Sequence, residues 1–199
     1  TKLDSSVEEE REILDAAPVV RKVVRMLLPL ARLRGIGIDT TFEPDCSVMT
    51  VEDDLYQIVF NLTENAIKYN RQDGWVGVSV RRAGDQVELR VEDSGAGIPP
   101  ESMEHIFERF YRVDKARSRA AGGAGLGLSI VHDMVERSYG TITVQARPGG
   151  GTRAQVVFPL ASCEDIPPEM ELHSSEENDI RAARFASRAA QELLLLRRY

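Results

Sequence analysis

The stretch Asn61-Leu62-Thr63-Glu64-Asn65-Ala66-Ile67-Lys68-Tyr69 sits inside a helical pattern running from residue 52 to residue 69, and the rest of the chain is read outward from it. At 100° per residue, Leu55, Ile58, Leu62, Ala66 and Tyr69 share one side of the helix, the expected core face. Asn61, Asn65 and Lys68 are spaced i, i+4, i+7 and form a polar stripe on the flank of that face. Carboxamide oxygens suit a hard cation such as Mg²⁺, which takes few protein ligands when phosphate oxygens and water complete its shell. A lysine one turn further on is placed as a point charge for phosphate oxygens. The solvated edge of an ordinary amphipathic helix has the same pattern, so the stripe alone leaves both readings open.

Upstream, apolar residues recur at helical spacing over 19–33 (Val20, Val23, Val24, Leu27, Leu30, Ala31), with Gly35 as the stop. Ile36, Ile38 and Thr40 then alternate as in a strand; a turn at Pro44-Asp45 and a short strand over 47–51 follow. Downstream, 75–82 and 86–93 alternate apolar and polar about Ala83-Gly84-Asp85, which predicts a hairpin. A glycine-rich, partly basic region covers 94–125. A helix over 126–139 precedes strands at 141–147 and 152–160, joined by Pro148-Gly149-Gly150-Gly151. This order predicts an α/β fold with helices packed on one face of a mixed sheet.

Flanking segments differ in composition. Residues 1–17 are charged, with an acidic run at Glu8-Glu9-Glu10, and read as a linker or the end of an upstream helix; the domain proper spans 18–160. Residues 161–179 read as an acidic linker, because 164–179 carries seven acidic residues, no Lys or Arg, and the pair Pro167-Pro168. Residues 180–199 read as a C-terminal amphipathic helix with Arg181, Arg184 and Arg188 at i, i+3, i+7. Docking on its own domain and association with a partner are both open for it.

With 199 residues the chain suffices for one well-buried domain and its appendages, and is too short for two full domains. A net charge of -7 argues against non-specific nucleic-acid binding, so basic residues at any phosphate site must be placed locally. Cys46 and Cys163 match no metal or redox spacing and read as free thiols of a reducing compartment. No apolar run approaches the ~18–20 residues of a membrane-spanning helix. The expected location is cytoplasmic, although a parent protein could still be membrane-anchored.

Three further motifs carry chemistry. In the strand over 86–93, Val87, Leu89 and Val91 share a face by period two, and Asp93 continues the series. Its carboxylate therefore points to the core side and needs a donor, for which an adenine amino group is one candidate. Gly95 and Gly97 let backbone approach a ligand closely, although plain turns also produce this pattern. Next, Gly122-Gly123-Ala124-Gly125-Leu126-Gly127-Leu128-Ser129 leads directly into a helix, presenting free amides and the positive dipole end to anionic oxygens. No Gly-Lys-Ser/Thr follows, and no βαβ unit surrounds it, so neither a P-loop nor a dinucleotide fingerprint fits. Arg112, Lys115, Arg117 and Arg119 upstream could close over a phosphate site, or be a solvated loop. Last, Gly149-Gly150-Gly151-Thr152 by itself is only a hairpin.

Taken in order, these motifs resemble the catalytic ATP-binding domain of bacterial sensor histidine kinases, within the superfamily that includes DNA gyrase and the mismatch-repair ATPases. The resemblance covers about 18–160. Residues 61–70 look like the asparagine box, 93–97 the first glycine box, and Ile106-Phe107-Glu108-Arg109-Phe110-Tyr111-Arg112-Val113-Asp114 the phenylalanine box. Residues 123–129 resemble the second glycine box and 149–152 the last. The fold this implies is a two-layer α/β sandwich of Bergerat type, here with a C-terminal helical extension. The cofactors implied are ATP and Mg²⁺. Asn65 would coordinate Mg²⁺, with Asn61 supporting it; Lys68 and Tyr69 would reach phosphate or ribose. Asp93 would accept from the adenine amino group, with Gly95, Gly97 and Ile98 shaping the base pocket. Phe107 and Phe110 would anchor the lid, and Arg117 would sit near the γ-phosphate. Gly123, Gly125 and Gly127 would line the triphosphate, with Leu126, Leu128 and Thr152 also at the nucleotide.

The sequence departs from the family in three places. Ser138-Tyr139-Gly140 stands where His-Gly-Gly is frequent, and Asn70 replaces a usual Thr or Ser; neither is expected to touch the chemistry. The histidines His105, His132 and His173 lack a phosphoacceptor context. Thr1-Lys2-Leu3-Asp4-Ser5 resembles the end of the family's dimerisation helices. The implied partners are a histidine-bearing dimerisation domain of the same homodimeric parent and a response regulator downstream. Asn61 cannot act as a base, and Glu64 lies about 100° round the helix from Asn65, so little hydrolysis is expected. The alternatives are a degenerate nucleotide-binding interaction module and a serine kinase of the anti-sigma type.

Overall fold

The computed structural model describes residues 11–113 and 126–161. The chain enters on strand β1 (Glu12–Asp15) and passes directly into helix α1 (Ala16–Leu33). Asp15 makes the transition sharp, since its Oδ1 accepts from the Ala17 amide at 3.1 Å, an N-cap that satisfies one of the helix's orphan donors. Val20, Val23, Val24, Leu27 and Ala31 form the buried stripe of α1. The helix stops where expected: Gly35 takes a φ of 66°, and the Ile36 amide returns to the Ala31 carbonyl at 2.9 Å.

The expected linker character of 1–17 does not hold at its C-terminal end. Glu12–Asp15 pairs antiparallel with β3 (Ser47–Thr50), and Ala16 and Ala17 are buried in the first turn of α1. Two apolar residues between Glu12 and Asp15 carry too little periodicity to announce a strand, and the partner that makes it one, Ser47–Thr50, is distant in the chain. The strand expected over 47–51 is present as β3 and belongs to this separate two-stranded sheet.

The main sheet holds β2 (Gly37–Phe42), β4 (Trp75–Ala83), β5 (Gln86–Asp93), β6 (Thr141–Ala146) and β7 (Thr152–Pro159), in the order β2-β4-β5-β7-β6. β2 runs parallel to β4 and every other pairing is antiparallel, which is the mixed sheet expected. One face is apolar: Val76, Val78, Val80, Val87, Leu89, Val91, Ala154, Val156 and Phe158 are buried beneath the helices. The other is a polar ladder, with Arg90 joined to Glu88 and Gln155, and Arg153 to Glu92. Period-two alternation alone produces this division.

Helix α2 (Glu52–Lys68) touches both α1 and helix α3 (Gly127–Arg137). Glu52, Asp53 and Asp54 in its first turn complement the helix dipole. Leu55, Ile58, Leu62 and Ala66 are buried as expected, whereas Tyr69 is not: the helix ends at Lys68, and Tyr69 lies beyond the last buried turn with 44% of its surface exposed. Asp54, almost wholly buried, is held by Arg137 from α3 in a bidentate pair at 2.7 and 2.6 Å. Tyr139 closes α3 with a φ of 57°, a left-handed position that favours glycine, and its ring lies 4.7 Å from the Arg11 guanidinium. None of these helices is long and apolar enough to cross a membrane.

Candidate functional site

The polar stripe of α2 faces the start of α3. A Cβ placed on Gly127 would lie 3.5 Å from Asn61 Oδ1 and 3.8 Å from an amide nitrogen of Asn65, so both carboxamides border the first turn of that helix. Among the described residues no side chain caps α3 at Leu126, so its leading amides have no intrahelical partner. The Asn61 Nδ2 group is buried and has no hydrogen-bond partner among the described residues. An orphan donor beside an uncapped helix N-terminus suits anionic oxygens or the water of a hydrated cation. Of the stripe, Lys68 is placed differently from expectation. Its Nζ is paired with Glu64 Oε1 at 2.9 Å, which shares its charge with a carboxylate on the preceding turn.

Asp93 ends β5, opposite Val76 of β4. Its Oδ1 accepts from the Gly95 amide at 2.7 Å and the Thr152 amide at 3.2 Å. Burial raises the Asp93 pKa; the two amides, the Thr152 hydroxyl and the Arg147 charge oppose that rise in part. Two glycines permit this arrangement. A Cβ on Gly95 would come within 2.5 Å of the Tyr69 carbonyl and 2.9 Å of Asp93 Oδ1, so only glycine lets the loop lie on the end of α2. Gly151, with a φ of 93°, rests against the Asp93 carbonyl too closely for any Cβ. Thr152 thus enters the site through Asp93, and Gly97 and Ile98 continue the loop half-buried.

Two residues that sequence reasoning set aside or passed over also belong to this framework. Asn70 was expected to stay clear of the chemistry. Its role is in the framework: Nδ2 donates to the Ala66 and Trp75 carbonyls, each at 3.0 Å, and Oδ1 accepts from Ser94 Oγ at 3.2 Å. It thereby joins the end of α2 to the residue following Asp93. Arg147 reaches the same place from the β6–β7 loop, its guanidinium 4.6 Å from the Trp75 ring centroid. A lone arginine beside a glycine run carries no signal in sequence, because its partners come from two other strands.

In the phenylalanine box, Ile106 is buried and the Phe107 ring lies 5.2 Å from the His132 ring on α3. Phe110 is not an anchor: it is 71% exposed with a φ of 66°. The segment is tied down by polar groups instead, namely Arg109 to Asp133 at 2.9 Å and Tyr111 Oη to Ser102 Oγ at 3.0 Å. The Glu108 carboxylate, 2.7 Å away, raises the pKa of exposed His105. Leu126 and Leu128 are half-buried at the start of α3. Arg117, Gly123 and Gly125 lie outside the described residues, as do Lys115, Arg119, the linker beyond residue 161 and the helix expected over 180–199.

The family model of histidine kinase-, DNA gyrase B- and HSP90-like ATPases matches residues 50–162. The chain belongs to this family. Sensor-like histidine kinase SenX3 of Mycobacterium tuberculosis is 38% identical over 146 residues, covering 73% of this chain and 36% of that protein. Sensor protein kinase WalK of Staphylococcus saprophyticus is 35% identical over 173 residues, covering 83% of this chain and 27% of that protein. The chain therefore spans about a third of the length of the curated relatives it matches. Among solved structures, the mycobacterial sensor histidine kinase MprB is similar at a TM-score of 0.64 with 30% identity, covering 75% of this chain and 97% of that one. Full-length ShkA in complex with AMPPNP is similar at 0.67 with 28% identity, covering 80% and 33%. The five-stranded mixed sheet with its helices is thus the sandwich of histidine kinase catalytic domains. Within this ATPase family fold, Gly127 at the start of α3 meets Asn61 and Asn65 of the asparagine box, and Thr152 of the last glycine box meets Asp93 of the first.

Proposed function

We propose that this chain binds Mg-ATP in the notch between Asn61, Asn65, Asp93 and the start of α3, as the phosphate-donor half of a protein histidine kinase. The observation that carries this reading is the convergence of Gly127 on Asn61 and Asn65, together with Asp93, whose following loop lies through Gly95 against the Tyr69 carbonyl at the end of the same helix. Asp93 accepts the adenine amino group through its remaining acceptor capacity, since a carboxylate offers more lone pairs than its two amide donors use. The α3 amides and the Asn61 Nδ2 donor receive phosphate oxygens, and Lys68 contributes charge tempered by Glu64. Asn65 holds Mg²⁺, which neutralises charge on the phosphates when bound. Tyr69, exposed at the end of α2, reaches the ribose or phosphate side. Arg117, Gly123 and Gly125 complete the triphosphate cover.

The chain's own contribution is positioning and charge neutralisation of the γ-phosphoryl group. Asn61 cannot take a proton from water, so hydrolysis by this chain is slow. The acceptor is a histidine on a dimerisation domain of a homodimeric parent, with a response regulator next in line, and the domain works in the cytoplasm beside a membrane anchor.

The test is to add radiolabelled Mg-ATP and this chain to a separately made dimerisation domain and assay phosphohistidine. Transfer that disappears in Asn65→Ala is expected. Tight Mg-ATP binding without transfer would return the chain to a nucleotide-binding interaction module, and phosphoserine on an added partner would make it an anti-sigma-type kinase. Rapid steady-state hydrolysis would contradict the role given to Asn61.

A further inference from the structure

Residues 149–151 are three consecutive glycines, all with positive φ (87°, 98° and 93°). Such a run has large conformational freedom and no side chain with which to hold itself in place. Yet Gly151 must press on the Asp93 carbonyl for the Thr152 amide to reach Asp93 Oδ1 at 3.2 Å. Within the loop, the Arg147 amide donates to the Gly151 carbonyl and the Gly150 amide to the Arg147 carbonyl, each at 3.0 Å. These bonds close the loop on itself; the flanking strand is already held on β5 from Arg153↔Glu92 onward, so what lacks a side-chain tie is the glycine tip between Arg147 and Thr152.

The side chain that spans the gap is Arg147. Its Nη1 donates to the Gly150 carbonyl at 2.9 Å and to the Asp93 carbonyl at 3.4 Å, while its guanidinium lies over the Trp75 indole at 4.6 Å. Trp75 is itself fixed to the segment after Asp93: its amide donates to Ser94 Oγ at 2.9 Å and its carbonyl accepts from the Ser94 amide at 3.1 Å. One planar group therefore joins β4, β5 and the glycine loop.

Resting on the reading of Asp93 as the adenine acceptor, we propose that Arg147 is a positioning residue of the base pocket, which locks the glycine loop onto the end of β5 and so sets the Asp93 carboxylate. It touches neither base nor phosphate in this role; it acts through Asp93 and Thr152. Its positive charge also opposes the rise that burial imposes on the Asp93 pKa. Other charged groups near the pocket are engaged elsewhere: Arg153 is held by Glu92 at 2.7 Å and Lys68 by Glu64 at 2.9 Å, while β4 presents Trp75 and Val76.

The experiment measures ADP affinity of the chain by calorimetry across acid to neutral pH, for Arg147→Ala, Arg147→Lys and Asp93→Asn. Trp75 is the single indole of the chain, so its emission reports whether the stack is intact. Arg147→Ala should weaken ADP binding about tenfold, or about 1.4 kcal/mol, shift Trp75 emission, and move the acid limb of binding to higher pH. Arg147→Lys retains the charge but not the planar fork. It should keep the acid limb in place while losing most of the affinity, and it remains informative if the alanine variant unfolds. Unchanged affinity in Arg147→Ala would overturn the proposal, and so would weaker binding with an unmoved acid limb, the result of a merely structural role. Asp93→Asn separates the two possible failures. If it binds ADP as tightly as the parent chain, the base-pocket reading falls and the proposal with it; if it loses ADP while Arg147→Ala does not, only the proposal falls.

Discussion

Asp93 shows what a buried carboxylate costs the folded state. Burial favours its neutral form, and the amides of Gly95 and Thr152 compensate only in part. The folded chain thus holds this proton to higher pH than the unfolded chain does. The stability associated with it is fully present below the unfolded-state pKa and is lost as pH rises through the raised folded-state value. Asp93→Asn keeps an oxygen for both amides and removes the buried charge. It should raise the melting temperature of the nucleotide-free chain at neutral pH, with a gain that shrinks in acid, while weakening adenine nucleotide binding at least tenfold. Thermal unfolding at two pH values checks the first half and calorimetry the second; a lower melting temperature at neutral pH would show that the carboxylate is net stabilising. At Asn65 the expectation concerns the metal: Asn65→Ala should abolish the Mg²⁺ dependence of ATP binding, and titration with and without Mg²⁺ decides it.

Helices α2 and α3 meet where Gly127 borders Asn61 and Asn65, and the Asp54–Arg137 pair fixes one helix against the other. The pair joins the first turn of α2 to the last turn of α3, at the opposite end of α3 from Gly127. Removing Arg137 leaves a buried carboxylate without its partner, a loss of several kcal/mol when both groups are buried. Half of the Arg137 side chain is exposed to water, which screens the pair, so Arg137→Ala should cost about 2 kcal/mol. Adding Asp54→Ala should recover part of that loss, because the stranded charge goes with it. Urea unfolding of the single and double variants measures the coupling, and strict additivity would dismiss it. The deeper packing of α2 is less forgiving. Ile58 is fully buried, and Ile58→Ala should cost about 2–5 kcal/mol by the same measurement.

For the molecule as a whole, occupancy and stability are linked. Mg-ATP at a hundred times its dissociation constant should add about 2.7 kcal/mol to the folded state, or roughly 5–10 °C in melting temperature for a chain of this size. No shift with Mg-ATP would remove the nucleotide reading altogether. Much of this molecule was legible before any coordinates, because periodicity and glycine placement are local properties. The helical spacing of Leu55, Ile58 and Leu62, the alternation of Val87, Leu89 and Val91, and the stops at Gly35 and Gly84 depend only on near neighbours in the chain. So does the direction of Asp93, and the order of the five motifs marked the family. Long-range pairing was not local and had to be seen. β1 exists because Glu12–Asp15 finds Ser47–Thr50, and Phe110 is exposed while Arg109 and Tyr111 find polar partners elsewhere. Lys68 shares its charge with Glu64 because both rotamers allow it, a choice spacing permits but does not impose. The notch itself belongs to the same class. Sequence alone determined which residues could serve a nucleotide; only the tertiary structure decided that Gly127 meets Asn61 and Asn65 and that Arg147 meets Trp75 and Asp93, because those contacts join strands and helices that the chain order keeps apart.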